Sequence, residues 1–410
     1  MRILTSPVIS RSLSPLNSSN VENLSTPLCR PLIQTRIDLG AIAHNTRVVK
    51  ERLRPGTQLM AVVKADGYNH GAVSVARVMV ENGADALGVA TLPEALELRR
   101  AGIEVPVLAW MWTPHIPSEV MAHVLSNNIA VGVASLAHAQ AIAQVTQRGI
   151  PAEVYVKVET GMHRSGVDPE HWETVFSYLK NTPGVQVQGV FSHLSSADDP
   201  KNPATDLQAT QFFRAIECGR AVGLELPINH LCNSPATMTR PDLHGDMVRV
   251  GVCLYGGQPV FQESFPVQPA MSWLSEVVMV KPIAQGEATS YGLTWAAQRA
   301  GYLAVVPVGY ADGLPRSAQG VLEVAIKGRR YPQVGRVCMD QFLVDLGENP
   351  DQITTGDEVC LFGSLPGALS PSELAQRLGT IDYELFCRPT GRTEREYVPS
   401  GMVKSVSDER

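Results

Sequence analysis

The chain contains no apolar run long enough to span a bilayer; its longest candidate, Val105 to Trp112, has the length of a core strand. It also lacks a basic excess. A net charge of −6 argues against nucleic acid, which needs a positive footprint. The seven cysteines, at 29, 218, 232, 253, 338, 360 and 387, show no pair with metal-ligand spacing, and their number is odd. That pattern suits free thiols in a reducing compartment better than a disulfide framework. No glycine fingerprint follows the first strand-like run, which counts against a dinucleotide-binding open sheet. The N-terminal stretch carries no apolar signal core. It is rich in Ser, Pro, Asn and Thr and holds Arg2, Arg11 and Arg30 against a single acid, Glu22. We read residues 1–33 as a disordered extension, with a transit peptide or an overlong start as the alternatives.

What is present is a 410-residue chain, 44% hydrophobic and 18% charged, the balance of a globular protein with a sizeable core. From Thr35 a short strand leads into an amphipathic helix, and strand-like runs then alternate with helical ones. The runs are Gln58–Lys64, Ala86–Ala90, Val105–Trp110, Ile129–Ser135, Ala152–Glu159, Val185–His193, Leu226–Cys232 and Asp246–Tyr255. Helical runs Leu92–Ala101, Leu136–Arg148, Pro169–Leu179 and Asp206–Val222 separate several of them; Pro235–Leu243 is short and proline-interrupted, so no firm helix is expected there. Eight strands with helical crossovers is the count of a (β/α)8 TIM-type barrel. After Pro266 the runs Ser272–Pro282, Tyr302–Val308, Val321–Ile326, Gln341–Leu346 and Glu358–Phe362 read as strands without crossovers. One helix, Pro371–Leu378, follows, with Ser370 as N-cap and Glu373 as its capping-box partner. The expected division is a barrel over 34–265, a mainly β C-terminal domain over 266–402 and a tail over 403–410.

Lys64, Lys157, His193, Asn233 and Arg249 all fall near the carboxyl ends of their strands, where a barrel keeps its active site. Lys64 is the central one. It follows the buried run Leu59–Val63, and Gly67 and Gly71 then break the chain into a loop. Partial desolvation there lowers an ammonium pKa and frees the amine for carbonyl chemistry. Across the barrel mouth, the N–H groups of Gly251 and Val252 with the Ser234 hydroxyl form a candidate phosphate cradle. A reactive lysine facing a phosphate site is what pyridoxal 5'-phosphate requires.

The segments AVVKADGYNHG, KVETGMHRSG, FSHLSSAD, NHLCNSPA, RVGVCLYG, TSYGLTW, PVGYADGLPR, VGRVCMDQ and TIDYELFCRPTGR, in this order, resemble the alanine racemase family of fold-type III pyridoxal-phosphate enzymes. The resemblance implies an isomerase that interconverts L- and D-alanine with two bases on opposite faces of the substrate. Lys64 would be the cofactor-bearing base and Tyr291 the second. His193 and Arg249 would supply the positive surroundings a tyrosine base needs, and Arg249 would face the cofactor's ring nitrogen without surrendering a proton. Tyr68, Ser234 and Tyr383, with the Gly251 and Val252 backbone, would hold the phosphate, beside Asn233. Arg164 would bind the substrate carboxylate, and Lys157 would orient it if carbamylated.

Tyr291 and Met339 would complete the site of a partner subunit, so the resemblance also implies a homodimer. It further implies a cytoplasmic location and a role in supplying D-alanine for peptidoglycan. Tyr310 and Asp340 read either as lining for the way in or as loop packing. Three positions depart from the family pattern: Asp66 for asparagine, His163 for glycine and Val250 for proline. They leave every catalytic group in place and bear on substrate preference. Broad-specificity, serine and lysine racemases share many of these motifs. A fold-type III decarboxylase would put a carboxylate where Arg249 stands. A single-barrel cofactor carrier would need neither the β domain nor Tyr291.

Overall fold

A computed structural model of the chain describes residues 31–260 and 263–399. The expected N-terminal extension and C-terminal tail lie essentially outside these residues. The first half alternates strands and helices: β1 Ile33–Asp38, α1 Leu39–Arg52, β2 Gln58–Val62, α2 Ala72–Glu81, β3 Ala86–Thr91, α3 Leu92–Arg100, β4 Val107–Met111, α4 Ser118–Ser126, β5 Ile129–Val133, α5 Leu136–Thr146, β6 Ala152–Lys157, α6 Trp172–Lys180, β7 Val185–Phe191, α7 Ala204–Ala221, α8 Ser234–Thr239 and β8 Met247–Val250. The second half is mainly strand: β9 Met271–Glu276, β10 Met279–Ile283, β11 Ala288–Thr289, β12 Trp295–Ala296, β13 Gly301–Val306, β14 Glu323–Ile326, β15 Arg329–Val334, β16 Phe342–Gly347, β17 Glu358–Phe362, then α9 Pro371–Leu378, α10 Asp382–Phe386 and β18 Glu394–Val398.

Strands β2 to β8 form one curled parallel sheet in the order β7-β6-β5-β4-β3-β2-β8. Near-continuous apolar runs, such as fully buried β5, let each strand be covered on both faces. Inside the barrel, Met60, Ala86, Leu108, Ala130, Tyr155, Phe191 and Met247 form a packed layer. Gly88 and Gly132 make room for Trp110: a Cβ on either would stand 3.0 Å from a Trp110 atom. The helices dress the outside. α3, for example, starts in a capping box between Thr91 and Glu94.

The seventh barrel segment in chain order is not a regular strand. Leu226–Cys232 makes a single parallel bridge from His230 to Phe191. It still closes the barrel, because Ile228 and His230 donate to Gln188 and Val190 on β7, and Arg249 on β8 donates to Cys232. Asn229 side-chain bonds to Val190 and Asp246 replace part of the ladder. The carbonyls of His230 and Leu231 here also accept from the Arg249 guanidinium in the site.

The second sheet has the order β10-β13-β16-β15-β14-β17-β9-β1-β18. Its membership includes β1, which lies antiparallel to β9 and parallel to β18, so the chain begins in the β-rich layer before entering the barrel. Other differences from the sequence reading have local causes. The run Ser272–Pro282 divides into β9 and β10, with Val277 and Val278 bonding to separate neighbours, Asp357 and Val305. The proline-bearing stretch is helical after all: Pro235 sits in the first turn of α8, where no N–H is needed, and Asn233 caps it. Ser370 caps α9 as expected, but the Glu373 carboxylate turns instead to Arg330 and Arg377.

Candidate active site

The chain leaves β2 at Val62 and, after Lys64, turns the wrong way. Ala65, Asp66, Gly67, Tyr68 and Asn69 have φ of 53°, 53°, 61°, 52° and 64°. This is a left-handed helical turn, in which each residue other than glycine costs roughly 1–2 kcal/mol. Gly67 must be glycine on space as well, since a Cβ would lie 2.9 Å from Val75 Cγ2 and 3.2 Å from the Ala72 backbone. The buried His70 imidazole supports the turn from beneath, donating from Nδ1 to the carbonyls of Tyr68 at 2.8 Å and Gly67 at 3.1 Å. Strain concentrated at one loop beside a cavity is a mark of function.

The turn presents Lys64 and Tyr68 to a cavity of about 160 Å³. Lys157, Arg164, His193, Asn233, Ser234, Arg249, Gly251 and Tyr383 line the same space. Ten of the candidate residues are thus gathered from segments spread over 320 positions of chain (383 − 64 + 1). Four of the lining side chains are cations, and none is a carboxylate. The Lys64 amine stands 5.9 Å from the Tyr68 ring centre and 6.0 Å from that of Trp110. Burial, and then the nearby Arg164 charge, lowers its pKa. Lys157 is brought down to about 8 by burial and by Arg164 and Arg249; its Nζ donates to Ser165 Oγ at 2.5 Å.

Arg249 is 7% exposed, and no acid faces it among the described residues. Its guanidinium is held by carbonyls instead: Ser192, His230 at 2.7 Å and Leu231 at 3.3 Å. It also donates to His230 Nδ1 at 2.9 Å, which places that ring's proton on Nε2. Burial pulls the Arg249 pKa down to about 10, and burial with Arg249 beside it takes His193 to about 3. Both imidazoles are therefore neutral, while the guanidinium keeps its charge at neutral pH.

On the other side of the cavity, Gly251 N–H donates to Ser234 Oγ at 3.0 Å. The Tyr68 and Tyr383 rings stand 5.8 Å apart. A Cβ on Gly251 would come within 2.3 Å of Tyr68 Oη, so the bare backbone is part of the cradle. Val252 contributes no side chain to it; its isopropyl group is buried in the core. On the loop after β6, the Glu159 carboxylate accepts from Gly161 and Met162 and shapes the approach to Arg164.

Besides Val252, two candidates stay outside the lining. Tyr291 is 72% exposed and Met339 is 53% exposed, and neither lines the Lys64 cavity. They lie on two loops stitched together by Ser290, whose Oγ accepts from Arg336 N–H at 3.0 Å. Tyr310 and Ala311 donate to Cys338 and Met339. With Leu293, 66% exposed, and Tyr310, these residues display large apolar surface to solvent. Sequence reasoning missed Trp110, Phe191, Ser192 and His230. Trp110 and Ser192 sit at strand ends, which is a usable signal; His230 lies in the irregular segment and gave none.

Comparison with known proteins follows from this geometry. Residues 37–259 match the family profile "Alanine racemase, N-terminal domain", and residues 270–397 match "Alanine racemase, C-terminal domain". The chain is 54% identical over 370 residues to an alanine racemase of Corynebacterium efficiens, covering 90% of this chain and 99% of that protein. It is 45% identical over 380 residues to one from Mycobacterium avium, covering 91% and 97%. Among solved structures, alanine racemase from Corynebacterium glutamicum superposes with a TM-score of 0.81 at 47% identity, covering 90% of this chain and all of that one. A Bacillus anthracis alanine racemase with bound L-Ala-P gives 0.83 at 30% identity, covering 91% and 96%.

Proposed function

The chain belongs to the alanine racemase family, and from that premise we propose that it interconverts L- and D-alanine with pyridoxal 5'-phosphate, using Lys64 and Tyr291 as its two bases. The observation that carries the reading is the chemistry of the cavity: a lysine with a lowered pKa, a buried arginine with no acid partner, and a hydroxyl and N–H cradle, with no carboxylate among them. Such a donor set fits a ligand bearing a phosphate, a ring acceptor and a carboxylate. The cofactor, when bound, withdraws electrons from the amino acid's Cα–H bond and so acidifies that proton.

The protein's own residues do the rest. Tyr68, Ser234, Tyr383 and the Gly251–Val252 backbone would hold the phosphate, and Asn233 fixes Ser234 by capping α8. Lys64 Nζ is the amine that would hold the cofactor, and it would take or return a proton at Cα from one face. Arg249 would face the ring nitrogen and, with its pKa pulled down to about 10 by burial, keeps its own proton. That tempers electron withdrawal and disfavours side reactions. Arg164 offers a planar fork to the substrate carboxylate. Lys157, with its pKa near 8, is the lysine poised for carbamylation, which would turn a neighbouring cation into an anion that orients Arg164.

Tyr291 Oη serves the opposite face from the second subunit of a homodimer, with Met339 beside it. Its exposure, and its place outside its own chain's cavity, support this reading. We place the enzyme in the cytoplasm, supplying D-alanine for peptidoglycan. The test is chiral analysis of L-alanine incubated with protein and cofactor, with L-serine and L-lysine in parallel. Equal alanine enantiomers with the others slow are expected. Fast serine or lysine turnover would move the chain to a sister specificity, and no racemisation of any would reject the proposal.

A further inference from the structure

We propose that Arg395, on the last strand of the second sheet, is a positioning residue that locks the left-handed turn bearing Lys64; the inference rests on reading Lys64 as the cofactor-binding lysine. The turn runs through five successive positive-φ residues, and only one of them is glycine. Local bonds do not account for it alone. Arg395 reaches across from β18 and donates from Nη2 to Asp66 Oδ2 at 2.6 Å and to Asn69 Oδ1 at 3.1 Å. One guanidinium nitrogen thus bridges the second and fifth residues of the turn.

Each of those residues is anchored again. Asp66 Oδ1 accepts from Ala72 N–H at 2.8 Å, tying the turn to α2. Asn69 Nδ2 donates to the carbonyls of Phe386, the last residue of α10, at 3.3 Å and of Pro389, just beyond it, at 2.7 Å. β18 also packs directly against the exit of the turn. A Cβ on Gly71 would lie 1.8 Å from Tyr397 Oη, two residues beyond Arg395. β18 is itself fixed by β1, with Thr35 opposite Arg395.

Neither Arg395, Asp66 nor Asn69 lines the cavity. Their effect on the reaction runs through the backbone that aims Lys64 Nζ and Tyr68 Oη. The pivot of the link is Asp66. An acid there lets one side chain pair with the guanidinium through one oxygen and cap α2 through the other, and it adds charge to the link.

The test uses the holoenzyme and three variants: Arg395→Met, Arg395→Lys and Asp66→Ala. The readouts are the cofactor dissociation constant, hydrogen exchange of the Gly67, His70 and Gly71 amides, kcat, and melting temperature. Arg395→Met is expected to weaken cofactor binding by about tenfold or more, since a small misplacement of a reacting group is costly. It should also speed exchange at those amides and lower kcat, and Arg395→Lys should recover part of each. Asp66→Ala, which leaves β18 untouched, should move the same readouts in the same direction. A lower melting temperature with unchanged cofactor binding and unchanged exchange would overturn the proposal and leave Arg395 a plain staple. If Arg395→Met does not fold, unaltered binding in Asp66→Ala overturns it equally. Cofactor that can still be fixed to the protein by borohydride reduction in Lys64→Ala would instead reject the reading of Lys64.

Discussion

In the proposed reaction the Lys64 cavity and the Tyr291 face would carry the two halves, and the chain builds them in opposite ways. The first is built in full. A strained turn, an arginine sequestered by carbonyls and a hydroxyl cradle converge in a cavity that one subunit makes alone. The second is unfinished: a tyrosine 72% exposed, with Leu293, Tyr310 and Met339 around it, on loops held firmly yet facing solvent. Binding needs many groups at fixed distances, which a barrel mouth supplies from several strands. A base for the other face of a flat substrate must come from across the cavity opening, and a second copy of the chain can bring it there. The β-rich layer serves both ends, presenting Tyr291 outward and reaching inward through β18.

Breaking the built half should cost most. Lys64→Ala removes the covalent anchor and a proton carrier together, so racemisation should fall by at least about 10³-fold in a chiral assay. Tyr291→Phe strikes the unfinished half and should keep the cofactor absorbance while slowing turnover about 10²- to 10⁴-fold. Solvent deuterium should then enter the two enantiomers unequally; equal slowing of both directions at every step would contradict the assignment. A milder change, Met339→Arg, puts charge into the apolar face without touching either base. Sedimentation should show weaker self-association, with activity recovering as protein concentration rises.

The smallest effect concerns the support beneath the turn. His70 is completely buried and neutral, its pKa lowered to about 4 by desolvation. The unfolded chain gains that proton near pH 6.5 and the folded chain only near 4, so stability is intact above about 6.5 and declines as pH falls toward 4. The loss by pH 5 is about 2 kcal/mol from this group. His70→Asn keeps a donor for the Tyr68 and Gly67 carbonyls, and its thermal melts at pH 7 and 5 should show a smaller drop than wild type.

Much of this was legible in the sequence because apolar runs and strand-end polar residues are local signals. The barrel strands, α9 and seven of the ten cavity residues belong to that class; Tyr68, Arg164 and Tyr383 were named only through the family resemblance. The left-handed turn was not legible. Ala65 and Tyr68 have no preference for positive φ, and the contacts that hold them come from Arg395, more than three hundred positions away. The same reason hid β1's place in the second sheet, since a short alternating strand reads alike whichever neighbour it pairs with. Leu226–Cys232 looked like a strand by composition. Its backbone groups are instead shared among β7, β8 and the Arg249 guanidinium.

The central claim, that each site joins Lys64 of one subunit to Tyr291 of the other, is tested by mixing two crippled proteins. Lys64→Ala and Tyr291→Phe subunits are unfolded and refolded together, and racemisation is measured against each alone. A hybrid dimer would hold one site with both defects and one with both wild-type residues. Random pairing should restore about one quarter of wild-type activity. Activity no greater than the two variants show separately, with hybrids present, would contradict the shared site.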